Sequence, residues 1–199
     1  MNEETFLQTA DTEKITSMMS QTQEQVKYFN DVSAETAKKY TSHLDSLMQE
    51  IYLKIKKSDD VDTDDIEHYY MELTNLLYFM GDKLEELGVH ADMAKVSAKE
   101  VYNRAYLESS AKRDEKGKSK TTVAENTSVA ETASQYQTTV ASIYDHAYKI
   151  VKYKIDGGYE LVCTLKKILA RRVAEISKET YYSSSAGNIS GKKRLFEGD

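Results

Sequence analysis

The fold is decided by residues 122–155, which read TVAENTSVAETASQYQTTVASIYDHAYKIVKYKI. Apolar side chains recur in this stretch every three or four residues, at Val129, Ala133, Tyr136, Val140, Ile143, Ala147 and Ile150. That spacing is typical of a helix that packs along one face in heptads. At about 1.5 Å per residue, such a helix would extend for roughly 50 Å. The stretch therefore predicts a long helix with a coiled-coil-like seam.

The residues before this seam predict where the helix begins. Thr122 and Glu125 have the spacing of a capping box, in which a hydroxyl and a carboxylate satisfy free backbone N–H groups at a helix N-terminus. Residues 112–120 read KRDEKGKSK and contain no apolar side chain. We predict that they form the tip of a helical hairpin.

Helix-breaking residues are scarce in the rest of the chain. There is no proline, which would remove a backbone donor and clash with the preceding turn, and none of the eight glycines precedes residue 81. We predict a weak helix within residues 3–30 and a second one from Ser33 to Lys57. The second helix is expected to bury an apolar stripe, namely Leu44, Leu47, Met48, Ile51 and Ile55. The next helix is expected to stop at Gly88, and the long seam helix to break or kink at Gly157 and Gly158.

These patterns predict an all-α protein made of long helical hairpins with heptad packing. The expected regions are an acidic helical region (1–88), a helical hairpin region (89–182) and a flexible basic-aromatic tail (183–199). A hairpin of two helices cannot bury both of its faces, so we expect the chain to form a homo-oligomer.

Charge is divided unequally between the two halves of the chain. The net charge is −6, but residues 1–100 carry 10 Lys and Arg against 21 Asp and Glu, whereas residues 101–199 carry 17 against 12. The halves are therefore −11 and +5. Such a division is found where one half binds nucleic acid or where copies associate head to tail, and also arises from ordinary surface variation.

No catalytic or metal-binding motif is visible. The chain lacks a glycine-rich phosphate loop, a nucleophile elbow and paired cysteines. Its four histidines lie in separate predicted elements, and the spacing around Cys163 is typical of a buried helix position. We therefore expect a protein that is not an enzyme and that holds neither a metal nor a cofactor.

The location of the protein is predicted from two further observations. No stretch approaches the roughly 20 apolar residues that cross a bilayer, and the N-terminus lacks the features of a secretion signal. The single cysteine cannot form an intramolecular disulfide. We expect a cytoplasmic protein without membrane contact.

Aromatic and basic residues alternate near the predicted hairpin tip. Tyr102 and Tyr106 flank Arg104, and the tip that follows is rich in lysine. Single-stranded nucleic acid needs rings on which bases stack and cations that neutralise phosphates. The candidate nucleic-acid-binding residues are therefore Tyr102, Arg104, Tyr106, Lys112, Arg113, Lys116, Lys118 and Lys120.

Two other basic segments are open to a similar interpretation. One segment carries two pairs of positive charge about one helical turn apart, Lys166 with Lys167 and Arg171 with Arg172. These pairs predict either a secondary nucleic-acid-binding face or a solvated face that pairs with the acidic half. Residues 192–196, KKRLF, would either dock on a partner or remain a solvated terminus.

The layout of residues 95–182 resembles the UvsY-type recombination mediators of tailed bacteriophages. The resemblance rests on Tyr-Asn-Arg-Ala-Tyr-Leu-Glu at 102–108, the basic tip with Gly117, Thr-Val-Ala-Glu at 122–125 and the long tyrosine-spotted helix. In that family a basic residue near the end of the first hairpin helix helps to bind single-stranded DNA, and Arg104 is the matching position here. The acidic first ninety residues have no counterpart in the family pattern.

The resemblance implies a ring-shaped homo-oligomer that holds single-stranded DNA and helps to load a recombinase over a single-strand-binding protein. Two alternatives remain open. The chain could be a virion or scaffold component without nucleic-acid contact, or a coiled-coil adaptor whose acidic half covers a basic partner surface.

Overall fold

In a computed structural model of the chain, the described residues form three helices. It describes the backbone of residues 3–57, 61–113, 117 and 120–194, and the side chains of 12–56, 61–113, 117 and 120–178. Helix α1 spans Glu3–Lys57 (55 residues), α2 spans Thr63–Ser110 (48 residues) and α3 spans Val123–Arg194 (72 residues). The described residues contain no strand, which confirms the prediction of an all-α protein.

Helix α1 runs without interruption through the residue predicted to open it. The Ser33 hydroxyl donates a hydrogen bond to the Phe29 carbonyl, 2.8 Å away, and Thr36 does the same to the Val32 carbonyl at 2.9 Å. These hydroxyls satisfy carbonyls one turn earlier and cap no N–H group. The prediction of a helix start at Ser33 is therefore wrong.

The predicted stop at Gly88 and the predicted break at Gly157–Gly158 are also wrong, because all three glycines lie inside helices. The alternative of a kink at Gly157–Gly158 stays a prediction. Two of these glycines lie against a side chain of another helix. A Cβ atom on Gly88 would lie 3.4 Å from the ring of Tyr148, and one on Gly158 would lie 2.7 Å from Cδ2 of Leu77. Among the described glycines, only Gly117 has a positive φ, of 75°.

Contacts divide the chain into two compact units, each containing parts of all three helices. Unit 1 comprises residues 1–42 and 81–153, and unit 2 comprises residues 43–80 and 154–199. This grouping does not test the predicted division at residues 88 and 182, which stays a prediction.

The backbone of 183–194 is helical where a flexible tail is expected, because no proline ends α3 there. Residues 195–199 lie outside the described range.

The core of unit 2 consists of large aliphatic side chains. The predicted stripe of α1 is confirmed at Leu44, Leu47 and Ile51, which are at most 4% exposed. They are joined by buried side chains of the other two helices, namely Ile66, Leu73, Leu77, Met80, Ile155 and Leu165. Since full burial of one such side chain contributes about 1.5–3 kcal/mol, this cluster is the main apolar contribution to the stability of unit 2.

The core of unit 1 consists mostly of small side chains, namely Ser33, Ala37, Thr41, Ala91, Ala130, Ser134, Ala141 and Ala147. The predicted heptad register of α3 is wrong at its start. Val129 and Tyr136 are 46% and 76% exposed and Ala133 is exposed, whereas Ala130 and Ser134, which follow Val129 and Ala133, are buried. The predicted seam position Ala147 is buried and is confirmed. Small side chains let the helices approach closely, so the seam lies one residue later than apolar size alone predicts.

Two adjacent glycines of α3 provide a matched test of this packing. Replacing either one by alanine gains helix propensity of roughly 1 kcal/mol, but only Gly158→Ala pushes a methyl group against Leu77. At Gly157 the nearest atom, Cε of Met48, is 3.9 Å away, an ordinary contact. We expect Gly157→Ala to be more stable than Gly158→Ala by about 1–3 kcal/mol, measured by denaturant unfolding. Equal stability of the two variants would contradict the close approach of Leu77.

Candidate nucleic-acid interface

The candidate interface begins where α2 ends, in unit 1. The last helical carbonyls need donors, and residues just after the helix supply them. The Ala111 N–H donates to the Leu107 carbonyl at 3.0 Å, and the Arg113 guanidinium donates to the Ser110 carbonyl at 2.9 Å. A cation at this end also opposes the negative end of the helix dipole. Arg113 therefore holds the end of α2 while its side chain stays exposed.

The tip is closed by hydrogen bonds between its two arms. The Lys120 N–H donates to the Lys112 carbonyl at 3.0 Å, and the Thr121 hydroxyl donates to the Ser109 carbonyl at 3.0 Å. Between the arms, Gly117 takes a left-handed conformation that glycine adopts without strain. The closure brings the exposed residues Lys112 and Lys120 to the same place.

The start of α3 is held by the predicted capping box, which is confirmed. The Glu125 carboxylate accepts hydrogen bonds from the Thr122 N–H at 2.7 Å and from the Thr122 hydroxyl at 3.1 Å. In return, the Glu125 N–H donates to that hydroxyl at 3.2 Å. The two hydrogen bonds from Thr122 to the carboxylate hold the pKa of Glu125 below its ordinary value of 4.5.

Tyr102 and Tyr106 lie one turn apart on α2, before the tip. Their rings are nearly parallel, with an interplanar angle of 16° and centroids 6.4 Å apart, and both side chains are half-buried. Arg104 is exposed between them in sequence. Tyr102 also lines a cavity of about 490 Å³ whose other walls include Glu131, Ser134 and Thr138 of α3.

Six of the eight predicted residues lie in the last three turns of α2 and in the closed tip of unit 1. These are Tyr102, Arg104, Tyr106, Lys112, Arg113 and Lys120. Lys116 and Lys118 lie outside the described residues. At about 100° per residue, Arg104 lies on the other side of α2 from the two rings. The rings are able to stack bases, and the exposed cations are able to neutralise phosphates of a flexible strand.

The secondary basic face belongs to unit 2, and only part of it is open. Lys166 and Lys167 are exposed. The Arg171 guanidinium bonds to Glu175 at 2.9 Å, one turn along the helix. The Arg172 guanidinium donates to the Val61 carbonyl, in the connection between α1 and α2. Arg172 therefore has a structural contact that the charge pattern alone does not reveal.

An ion network joins α2 and α3 in unit 1, and the spacing of residues in the sequence identifies only part of it. Asp145 bonds to Lys149 at 2.7 Å and to Lys95 at 3.1 Å, and these two lysines lower its pKa. The pair of Asp145 and Lys149 is readable from its four-residue spacing. Lys95 is fifty residues away in sequence, so no local signal identifies it.

Other classes of site find no support within the part of the chain that the structure describes. No group of three or more histidine, cysteine, aspartate or glutamate side chains is arranged to hold a metal ion there. No described helix has both the length and the apolar character to cross a membrane. Cys163, predicted to be buried, is exposed, because the neighbouring seam position Leu165 takes the core side of α3.

Comparison with known proteins identifies no relative: no family model, curated protein or solved structure matches this chain.

The capping box predicts a specific response to mutation and to pH. Thr122→Ala should weaken the start of α3 by about 1 kcal/mol, because an N-terminal donor loses its partner. The pH response follows from the lowered pKa of Glu125 in the folded state. The contribution of Glu125 to the stability of the helix start is fully present above pH 4.5 and is lost as the pH falls through the lowered pKa. Hydrogen exchange of the amides at 123–126, at pH 7 and in acid, measures both effects.

The matched control for this experiment is Thr132→Ala, in the same helix. The Thr132 hydroxyl bonds only to the Ser128 carbonyl, one turn earlier at 2.8 Å, and caps nothing. Its exchange rates should stay close to those of the unmodified chain. Equal effects of Thr122→Ala and Thr132→Ala would rule out the capping role.

Proposed function

We propose that this chain is a non-enzymatic accessory protein of DNA recombination or replication, of the kind that bacteriophages encode, and that it binds single-stranded DNA. The observation that carries the proposal is that the end of α2 and its tip hold both the exposed cations Arg104, Lys112, Arg113 and Lys120 and the parallel rings of Tyr102 and Tyr106. Phosphates would contact the cations and bases would stack on the rings, without readout of base edges. Binding would therefore be independent of sequence.

The biological role follows from that binding mode. A homo-oligomer, arranged as a ring, would hold one strand on several tips at once, which raises avidity without new contacts. A strand held in this way is a substrate for loading a recombinase in place of a single-strand-binding protein. The proposed location is the cytoplasm of the host cell. Lys166 and Lys167 are proposed as a secondary contact.

A structural or assembly protein is the alternative that a specific observation favours. Large apolar side chains are exposed on all three helices, including Met18 at 60%, Met93 at 62% and Val173 at 58%. Exposed apolar surface is typical of chains that associate. This alternative predicts association without any response to DNA.

Salt dependence tests the proposed phosphate contacts. The affinity for labelled oligothymidine, measured by fluorescence anisotropy, should fall with the logarithm of salt concentration at about −0.7 per contact. Four to six contacts give a slope of about −3 to −4. Replacing Lys112, Lys116, Lys118 and Lys120 by glutamine should reduce the size of this slope by about 3. No binding at low salt would sink the proposed function.

The control for this variant removes the same charge from the same unit. It replaces Lys38, Lys39, Lys83 and Lys152 by glutamine, all exposed and all outside the tip. Its slope should stay near that of the unmodified chain. If both variants lose affinity equally, attraction by overall charge explains binding and the tip is not the site.

Stacking is tested separately, because it carries no charge. Tyr106→Leu keeps an apolar side chain but removes the ring, and should cost about 1–3 kcal/mol of binding free energy for each base that loses its stack. The salt slope should not change. Tyr136→Leu, at a 76% exposed tyrosine of α3, is the control and should bind like the unmodified chain. Equal losses for both variants would contradict stacking at the tip.

A further inference from the structure

The first half of α1 carries an apolar face that nothing covers. Every described side chain from residue 12 to residue 28 is exposed. Ile15, Met19 and Val26 are 58%, 58% and 52% exposed, yet their spacing of four and seven residues places them on the helix face that buries Ser33. The face of α1 that is buried at Ser33 therefore continues toward the N-terminus, where it is still apolar but is exposed to solvent.

The hairpin of α2 and α3 in the same unit lacks full cover over the corresponding length. No residue of α2 from 92 to 108 is buried, whereas Leu87 and Ala91, just before this segment, are buried. Two helices alone cannot bury the inner side chains of a hairpin fully, and a third helix is needed. On the α3 side of the hairpin, Ala130, Ser134 and Ala141 are buried over the same length. Unit 1 therefore contains an uncovered helix and a hairpin that is only partly covered.

A gap separates these two surfaces. A cavity of about 700 Å³ lies between residues 21–29 of α1 and the side chains of Gln135, Thr139 and Ile143 of α3. At one end of the gap the Phe29 ring approaches the His146 ring, with centroids 5.7 Å apart. The α1 residues 21–28 that line this gap are exposed, so it is a groove open to solvent along α1.

The chain's own α1 has no means of closing this gap. Sharp bends in helices arise at proline, at glycine or at an inserted bulge, and α1 contains neither proline nor glycine. Bending α1 onto the hairpin would break backbone hydrogen bonds in a continuous helix. A segment from outside the chain has no such restriction.

We propose that residues 12–29 of a second copy of this chain occupy the gap, and that the two copies exchange this segment reciprocally. Each copy offers both the uncovered helix and the partly covered hairpin, so that a two-fold pair satisfies both surfaces at once. The apolar faces of both α1 segments would then be buried together. The pair is the unit from which the proposed larger assembly would be built.

The size of the contact suits a stable pair. Residues 12–29 extend for about 27 Å, and a helix with its side chains is about 11 Å wide, so each contacting surface covers about 300 Å². Two reciprocal contacts, counted on both partners, cover about 1,200 Å². That exceeds the roughly 1,000 Å² expected of a specific interface.

The inference rests on the self-association part of the proposed function and not on DNA binding.

Light scattering of the full chain over a range of concentrations should give at least twice the single-chain mass of 22.7 kDa. The double variant Ile15→Glu and Met19→Glu places charges on the apolar face of α1, and its mass should fall to that of one chain. A full chain that remains a monomer, or a double variant that still assembles, would overturn the inference.

The control variant places the same charges on the opposite side of the same turns, at Ser17→Glu and Ser20→Glu, both exposed. It should assemble like the unmodified chain, and equal disruption by the two variants would overturn the inference. Circular dichroism of both variants shows whether helix content is retained.

Anisotropy with oligothymidine on the same samples separates the two proposals. DNA binding by a monomer would overturn the exchange alone, whereas assembly without DNA binding would overturn the proposed function alone.

A disulfide experiment tests the occupant of the gap without disturbing the apolar face. Cys163, which is exposed, is first replaced by serine in every chain. A chain with Thr22→Cys is mixed with a differently sized, tagged chain with Gln135→Cys, since both positions line the cavity. Oxidation should give a product joining one chain of each kind. Products joining only two Thr22→Cys chains, or no mixed product, would overturn the proposed exchange.

Discussion

The close approach of α2 to α3 is the contact on which the rest of the structure depends. In each unit it is made at a glycine. In unit 1 the Tyr148 ring lies against Gly88, and in unit 2 the Leu77 side chain lies against Gly158. A Cβ atom at Gly158 would collide with Leu77, whereas one at Gly88 would make an ordinary contact with the Tyr148 ring. The tip lies at the end of these two helices, so its cations converge only while the helices stay packed.

The two units rely on different packing within the same three helices. Unit 2 buries large side chains such as Leu44, Ile51 and Leu77, each of which removes much apolar surface from water. Unit 1 relies mostly on alanine and serine, which remove less surface but allow helices to approach closely, and its large buried side chains include Leu87 and Val151. Unit 1 is also the unit that carries the candidate interface.

Local signals in the sequence predicted the helical class, the capping box at Thr122 and Glu125, and the buried stripe around Leu44. The helix start predicted at Ser33 failed for a local reason, because its hydroxyl bonds to the Phe29 carbonyl within α1. The other failures concern contacts between helices. Gly88 and Gly158 were read as helix ends, although each lies inside a helix against a side chain from a helix that is distant in sequence. The register of α3 was assigned by apolar size, so Val129 was preferred to its smaller neighbour Ala130. Lys95 with Asp145 and Arg172 with Val61 are pairs that no spacing rule identifies.

The contact of Arg172 with the Val61 carbonyl has a consequence for the order in which the chain is completed on the ribosome. The two residues are 111 positions apart, so the connection between α1 and α2 emerges long before its guanidinium partner is synthesised. Until then, that carbonyl lacks its guanidinium donor, and the large aliphatic cluster lacks Ile155 and Leu165, the α3 side chains that complete it. Since chains are made at about 5–20 residues per second, this delay lasts for about 6–22 seconds. The core of unit 2 is therefore completed only late in synthesis.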